Sequence, residues 1–228
     1  MAYTKEQIID MCDEASRDMK SFYKAKFINY KGYSKEKILY TEIVAEWLLH
    51  HLDTLKNIPQ TLRQGSYNQN HTGEIVNNSN RVEETDARRL FKTHKTYEGF
   101  GEIIDYQTPL KNTRNDEGLG KIDLLSRNNK TKCVYILELK REGSEESMLR
   151  CVLEAYTYLR TVSKEKLFED FGISSDYKLC ASPLVYKGSL QHKEYLDCNR
   201  TYLHQLMQKL ESIPFFIEEN STFHVSLK

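Results

Sequence analysis

The spacing of apolar residues divides the chain into three textures. From residue 4 to about 56 they recur at helical intervals: "TKEQIIDMCDEASRDMKSFYKAKF" opens on Thr4 as an N-cap, and "SKEKILYTEIVAEWLLHHLDTL" opens on Ser34. In the second run Ile38, Ile43, Trp47, Leu48 and Leu52 favour one broad face, which predicts a packed antiparallel helix pair. Residues 57–80, "NIPQTLRQGSYNQNHTGEIVNNSN", lose that periodicity and are rich in Asn, Gln, Gly and Ser. They mark a boundary, either a flexible loop or an ordered polar loop near a substrate. A helix capped near Ser79 or Asn80 then begins in "SNRVEETDARRLFKTH", after which the period shortens to two.

"GEIIDYQTPL", "GKIDLLS" and "CVYILELK" read as three strands, separated by the polar loop "KNTRNDEG" and the turn "RNNKT". In "SMLRCVLEAYTYLRTV", Met148, Val152, Ala155, Leu159 and Val162 step by 4, 3, 4 and 3, the spacing of an amphipathic helix. "YKLCASPLVY" follows as a fourth strand, "QHKEYLDCNRTYLHQLMQKLES" as a further helix and "FFIEENSTFHVSL" as a terminal hairpin or edge strand. The predicted order of helix, three-stranded meander, helix and strand makes an α/β fold, an α+β mixed sheet covered by helices. The expected divisions are an N-terminal helical extension (1–57), a polar loop or linker (58–80) and a core (81–228) that ends in a helix and strand.

With 33 basic and 33 acidic side chains among 228 residues, the formal charge is zero. No global field draws the chain to nucleic acid, which leaves a local basic groove as the electrostatic route. The cysteines at 12, 133, 151, 180 and 198 lie at least 18 residues apart, which suggests neither a disulfide framework nor a structural zinc site. His50 and His51 are adjacent and point about 100° apart on a helix, so they mark a helix end and not a metal pair. The start has no basic, apolar leader, and no run approaches the roughly 18 apolar residues of a membrane span. A reducing, cytoplasmic setting is expected, with no membrane partner.

The apolar run "VYILELK" nevertheless contains an acid and a base. Glu138, Lys140 and Ile136 project to one face of a strand, and Tyr135, Leu137 and Leu139 to the other. A turn centred near residues 129–131 brings Asp123 opposite a position within one or two residues of Glu138. Burying an unpaired charge costs several kcal/mol, so these groups need partners. One reading is an ion pair between Glu138 and Lys140 on a solvated sheet edge. The other has Asp123 and Glu138 holding a hard divalent cation through oxygen, with Lys140 beside it. Acid-x-lysine also occurs at Asp18–Lys20 and Asp176–Lys178, but only at Glu138 does it come with a preceding acidic strand, a hairpin and a following helix.

This constellation resembles the PD-(D/E)xK phosphodiesterase superfamily, over residues 80 to about 187. Ile122 stands where the signature proline would be. The resemblance implies a restriction-endonuclease-like core and a Mg²⁺- or Mn²⁺-dependent nuclease. The metal would be held by Asp123, Glu138, the Leu139 carbonyl and a glutamate from the first helix, with Lys140 catalytic. Val82, Ala87, Leu90 and Phe91 centre on the direction of Glu83, with Glu84 the alternative at the edge of that face; a first-turn acid serving the helix dipole is the competing reading. Several branches carry Q-x-x-x-Y on the helix after ExK. Here Glu154 and Tyr158 have that spacing, with Glu for Gln, and one turn apart they look the same way, away from the Met148–Leu159 stripe. A solvated helix face is the alternative. The implied partner is nucleic acid, DNA before RNA, contacted by Lys111, Arg114, Lys121 and Arg127 unless these are ordinary solvated side chains. A homo-oligomer is left open. The rival function is a catalytically silent nuclease-like module that binds nucleic acid or protein.

Overall fold

In the computed structural model, which describes residues 2–74, 82–112, 120–220 and 222–226, the period-two stretches form strands that lie side by side in chain order. The two-residue β1 (Thr96–Tyr97), β2 (Gly101–Pro109), β3 (Lys121–Asn128) and β4 (Cys133–Lys140) form an antiparallel meander. β5 (Lys178–Tyr186) and β6 (Phe215–Asn220) continue the sheet in parallel, and β7 (Thr222–Ser226) closes it as an antiparallel hairpin partner. The fold is mixed α/β.

Parallel neighbours need long crossovers. Those after β4 and β5 contain α5 (Met148–Thr161) with α6 (Lys164–Asp170), and α7 (Leu190–Leu196) with α8 (Thr201–Lys209). The strand β4 is buried on both faces, which explains its near-continuous apolar run. Val134 and Ile136 join a core with Met148, Val152 and Ala155 of α5, while Leu137 and Leu139 pack with Ala87 and Leu90 of α4 (Val82–Lys92) on the other side. Thus α4 and α5 cover opposite faces.

The N-terminal run is less helical than its spacing predicts. Thr4 and Gln7 form a capping box for α1 (Lys5–Ala15), but residues 16–29 break into three short 3₁₀ turns. Phe22, Tyr23, Phe27 and Ile28 are all buried there, and two adjacent pairs five apart cannot share one helical face. The second run starts at Tyr40, not Ser34: α2 spans Tyr40–His50 and α3 spans Leu52–Lys56. Ser34 instead closes a tight loop by donating its N–H to Ile38 O at 2.8 Å, with Lys37 in the left-handed region at φ 63°. His50 ends α2 as expected, and His51 Nδ1 lies 2.7 Å from the Trp47 carbonyl.

Glu42 of α2 accepts the N–H groups of Tyr202 (2.8 Å) and Leu203 (3.0 Å), capping α8 from outside its own chain segment. Ile8, Ile43 and Leu48 share one core with Leu149 of α5 and Leu203 of α8.

The flexible-loop reading fails for residues 58–74, which form an ordered strap. Ile58 and Tyr67 are buried, Thr61 N–H bonds Thr161 O at 2.7 Å, and Tyr67 N–H bonds Asp170 Oδ2 at 2.7 Å. The cap positions Ser79 and Asn80 lie outside the described residues. The long helix expected after β5 is two helices. Asp197 Oδ1 accepts the Asn199 N–H at 3.0 Å, a local turn that interrupts the helix.

Candidate carboxylate and lysine site

Leu124 of β3 faces Leu137 of β4, so Asp123 comes level with Glu138, within the predicted window. Asp123 Oδ2 accepts the Leu139 N–H at 3.0 Å, and Oδ1 accepts the Gln107 side-chain amide at 3.1 Å. Gln107 reaches it because β2 carries an extra residue between Ile103 and Asp105, and because Gln107 itself adopts φ 52°. Nothing in the residue pattern of "GEIIDYQTPL" announces that bulge, so Gln107 had no sequence signal.

Glu138 and Lys140 are 4% and 5% exposed, which overturns the solvated-edge reading. Lys140 Nζ lies 2.6 Å from Glu138, 2.9 Å from Glu146 and 3.4 Å from Glu154. Tyr158 donates its hydroxyl to Glu154 Oε1 at 2.9 Å. The solvated-face reading of α5 is likewise overturned, since Glu154 is 9% and Tyr158 4% exposed. Both line the cleft, although Tyr158 also packs in the core with Met148, Val152 and Ala155 of the stripe. Gly120, just before β3, admits this packing: a Cβ there would meet the Tyr158 hydroxyl at 2.2 Å. Glu146 and Arg150, an acid and a base one turn apart around the Ser147 N-cap, also join the site, with Arg150 Nε 2.9 Å from Glu146. That spacing was a readable signal beside the ExK strand.

These groups line a cleft of about 330 Å³ together with Glu83 and Lys121. Glu83 enters from α4, whereas Glu84 turns to an ion pair with Arg88. Val82, counted on the buried face, is exposed. Of the basic residues expected to touch nucleic acid, Lys121 stands at the cleft. Arg127 sits at the other end of β3, 3.9 Å from Glu102, and the half-buried Lys111 lies just beyond β2. Arg114 lies outside the described residues.

Five carboxylates (Glu83, Asp123, Glu138, Glu146, Glu154) face three cations (Lys121, Lys140, Arg150) in this cleft. Burial, opposed by Lys140 but reinforced by Glu154 and Glu83, pushes the Asp123 acid up to about 7. Burial, then Asp123 and Glu154, raises Glu138 well above the ordinary carboxylate range. Burial alone pulls Lys140 down, but Glu138 and Glu154 outweigh it and hold the ammonium above the usual lysine range. The surplus of hard oxygen donors fits a divalent cation in charge and ligand type. Among the described residues no three such side chains already converge as a metal cage. Glu138 is turned to Lys140, and Asp123 bonds Gln107 and Leu139. No protein-family model, curated protein or solved structure matches the chain.

Proposed function

We propose that this protein is a Mg²⁺- or Mn²⁺-dependent phosphodiesterase that hydrolyses nucleic acid, DNA before RNA, on a restriction-endonuclease-like core in a cytoplasmic setting. The observation that carries the reading is the meeting of Asp123, Glu138 and Lys140 in one cleft at the ends of a strand hairpin. Two further features support it. The order α4, β2–β4, α5, β5 follows the expected helix, meander, helix and strand. The helices on opposite faces also bring Glu83 and the Glu154–Tyr158 pair to the same cleft.

Asp123, Glu138, Glu83 and the Leu139 carbonyl would hold the metal. When bound, it supplies Lewis-acid polarisation of the phosphate and lowers the pKa of a coordinated water. Gln107 fixes one oxygen of Asp123 and the Leu139 N–H the other. Lys140 carries a positive charge to the scissile phosphate, where it stabilises the negative charge that develops on oxygen. Glu154, aligned by the Tyr158 hydroxyl, and Glu146 position that ammonium. Lys121, exposed at the mouth, meets the backbone of the strand.

The test is a DNA and RNA cleavage panel with Mg²⁺ and Mn²⁺ on wild type, Lys140→Met and Asp123→Asn, with calorimetric metal titration of the same samples. Cleavage lost in both variants, with metal binding weakened in Asp123→Asn, supports the assignment. Equal cleavage by wild type and Lys140→Met sinks it.

One observation favours a second reading, a catalytically silent nuclease-like binding module: the Lys140 ammonium is already shared by three carboxylates. A silent module would gain no stability from Mg²⁺ or Mn²⁺, whereas a ligand that binds only the native state raises the melting temperature.

A further inference from the structure

Beside the cleft, joined to it through Tyr158 and Arg150, stands a second cluster that the hydrolytic scheme leaves unused. Tyr23, in the 3₁₀ turn Phe22–Lys24, is buried, and its hydroxyl lies 3.4 Å from that of Tyr158. Two cations lie against its ring: Lys24 Nζ is 5.4 Å from the centroid and Arg150 Cζ is 5.8 Å. One aromatic side chain thus links the carboxylate and lysine network to a pair of positive charges. Lys24 is exposed, whereas Arg150 lines the cleft itself. Lys24 is held below the ordinary lysine range by burial of part of its side chain and by repulsion from Lys111 and Arg150, against the pull of Glu154 and Asp18. Like charges are thus gathered beside the acidic interior, offset in part by Glu154 and by the Arg150–Glu146 pair, and a neighbouring polyanion lowers their mutual repulsion further.

We propose that Lys24 and Arg150, set against Tyr23, form a subsite for a backbone phosphate of a polynucleotide strand, distinct from the phosphate that is cleaved. This rests on the phosphodiesterase reading for the cleaved phosphate, and it makes the substrate a polymer and not a mononucleotide. The basic cluster attracts phosphate, so a strand held there runs on toward the phosphate that is cleaved beside Lys140. The N-terminal segment then supplies part of the substrate surface.

The experiment measures fluorescence anisotropy of short labelled DNA and RNA strands over a salt series, once in EDTA and once in Ca²⁺. The proteins are wild type, Lys24→Ala, Lys24→Glu, Arg150→Lys and the remote control Lys209→Ala. Each phosphate contact adds roughly 0.7 to 0.9 to the slope of log affinity against log salt. Lys24→Ala should lower that slope by about 1, Lys24→Glu should weaken binding further, and KM for strand cleavage should rise while kcat is kept. Wild-type slope and KM in both Lys24 variants would overturn the subsite and leave the nuclease reading standing. Binding that depends on Lys24 without cleavage of either strand, with Mg²⁺ or Mn²⁺, would uphold the subsite and defeat the nuclease reading. Absence of wild-type binding to both strands under both conditions would overturn the subsite. The DNA and RNA arms identify which backbone it prefers.

Discussion

Lys140 Nζ lies 2.6 Å from Glu138 Oε1, although the two side chains leave one strand face two residues apart. They lean together because burial leaves little water to solvate either charge. The contact extends through Glu154 and Tyr158 to Tyr23, so the charge network spans sheet, helix and N-terminal turn.

Replacing Lys140 by Met strands Glu138 and Glu154 without a counter-charge. Breaking a buried pair from one side costs about 3–5 kcal/mol. Urea unfolding in chelator should show a loss of that order, and a loss below about 1 kcal/mol would mean the carboxylates are better solvated than their burial implies.

Asp123 sets a pH dependence whose sign follows from its shift. Its acid has an ordinary value of 3.8 and is raised to about 7 in the fold. Between those values the native state binds more protons than the unfolded chain, so this group's contribution to stability falls as pH rises. Glu138 acts in the same direction. The difference in unfolding free energy between wild type and Asp123→Asn, in chelator, should move in favour of the variant from pH 4 to pH 7 and then level off. A difference that moves the other way would show that Asp123 is ionised across the range.

Gly120→Ala inserts a methyl 2.2 Å from the Tyr158 hydroxyl, which is held between Glu154 and Tyr23. Overpacking of this kind costs about 1–3 kcal/mol. Thermal unfolding should record the loss, and on the proposed function cleavage should fall with it. An unchanged melting temperature would show that position 120 shifts off Tyr158 at no cost.

Glu42→Ala removes the carboxylate that caps α8. Loss of an N-cap acceptor costs about 0.5–2 kcal/mol, and Glu42→Gln, which keeps one oxygen acceptor, should cost less. Denaturant unfolding of the two variants checks the order; equal losses would place the effect in packing and not in the hydrogen bonds.

The strands were legible as short apolar runs bounded by polar turns, and α5 by its helical spacing: β4 occupies Cys133–Lys140, the stretch read as a strand, and α5 opens beside its Ser147 cap. Asp123, Glu138 and Lys140 come together because strand register is short-range geometry, whereas Glu83, Glu154 and Tyr158, which the resemblance implied, reach the same cleft only through the packing of α4 and α5 on the sheet. Three features were hidden. The strap is fastened by isolated residues, Ile58 and Tyr67, and by backbone bonds that a polar composition does not reveal. Tyr23 reaches the cleft through a contact with Tyr158, 135 positions away in sequence. Gln107 depends on backbone dihedrals that side-chain identity left open.

The extra residue in β2 also divides the labour within that strand. Ile103 and Tyr106, which simple alternation would send to opposite sides, both pack in the core beneath α4, and Gln107 is released toward Asp123. Deleting Ile104 would restore regular alternation and reverse the parity of one half of the strand against the other. The hydrophobic fit under one helix and the polar lining of the cleft are therefore set by a single count of residues, and an insertion or deletion here would disturb both even if it left every cleft side chain in the sequence.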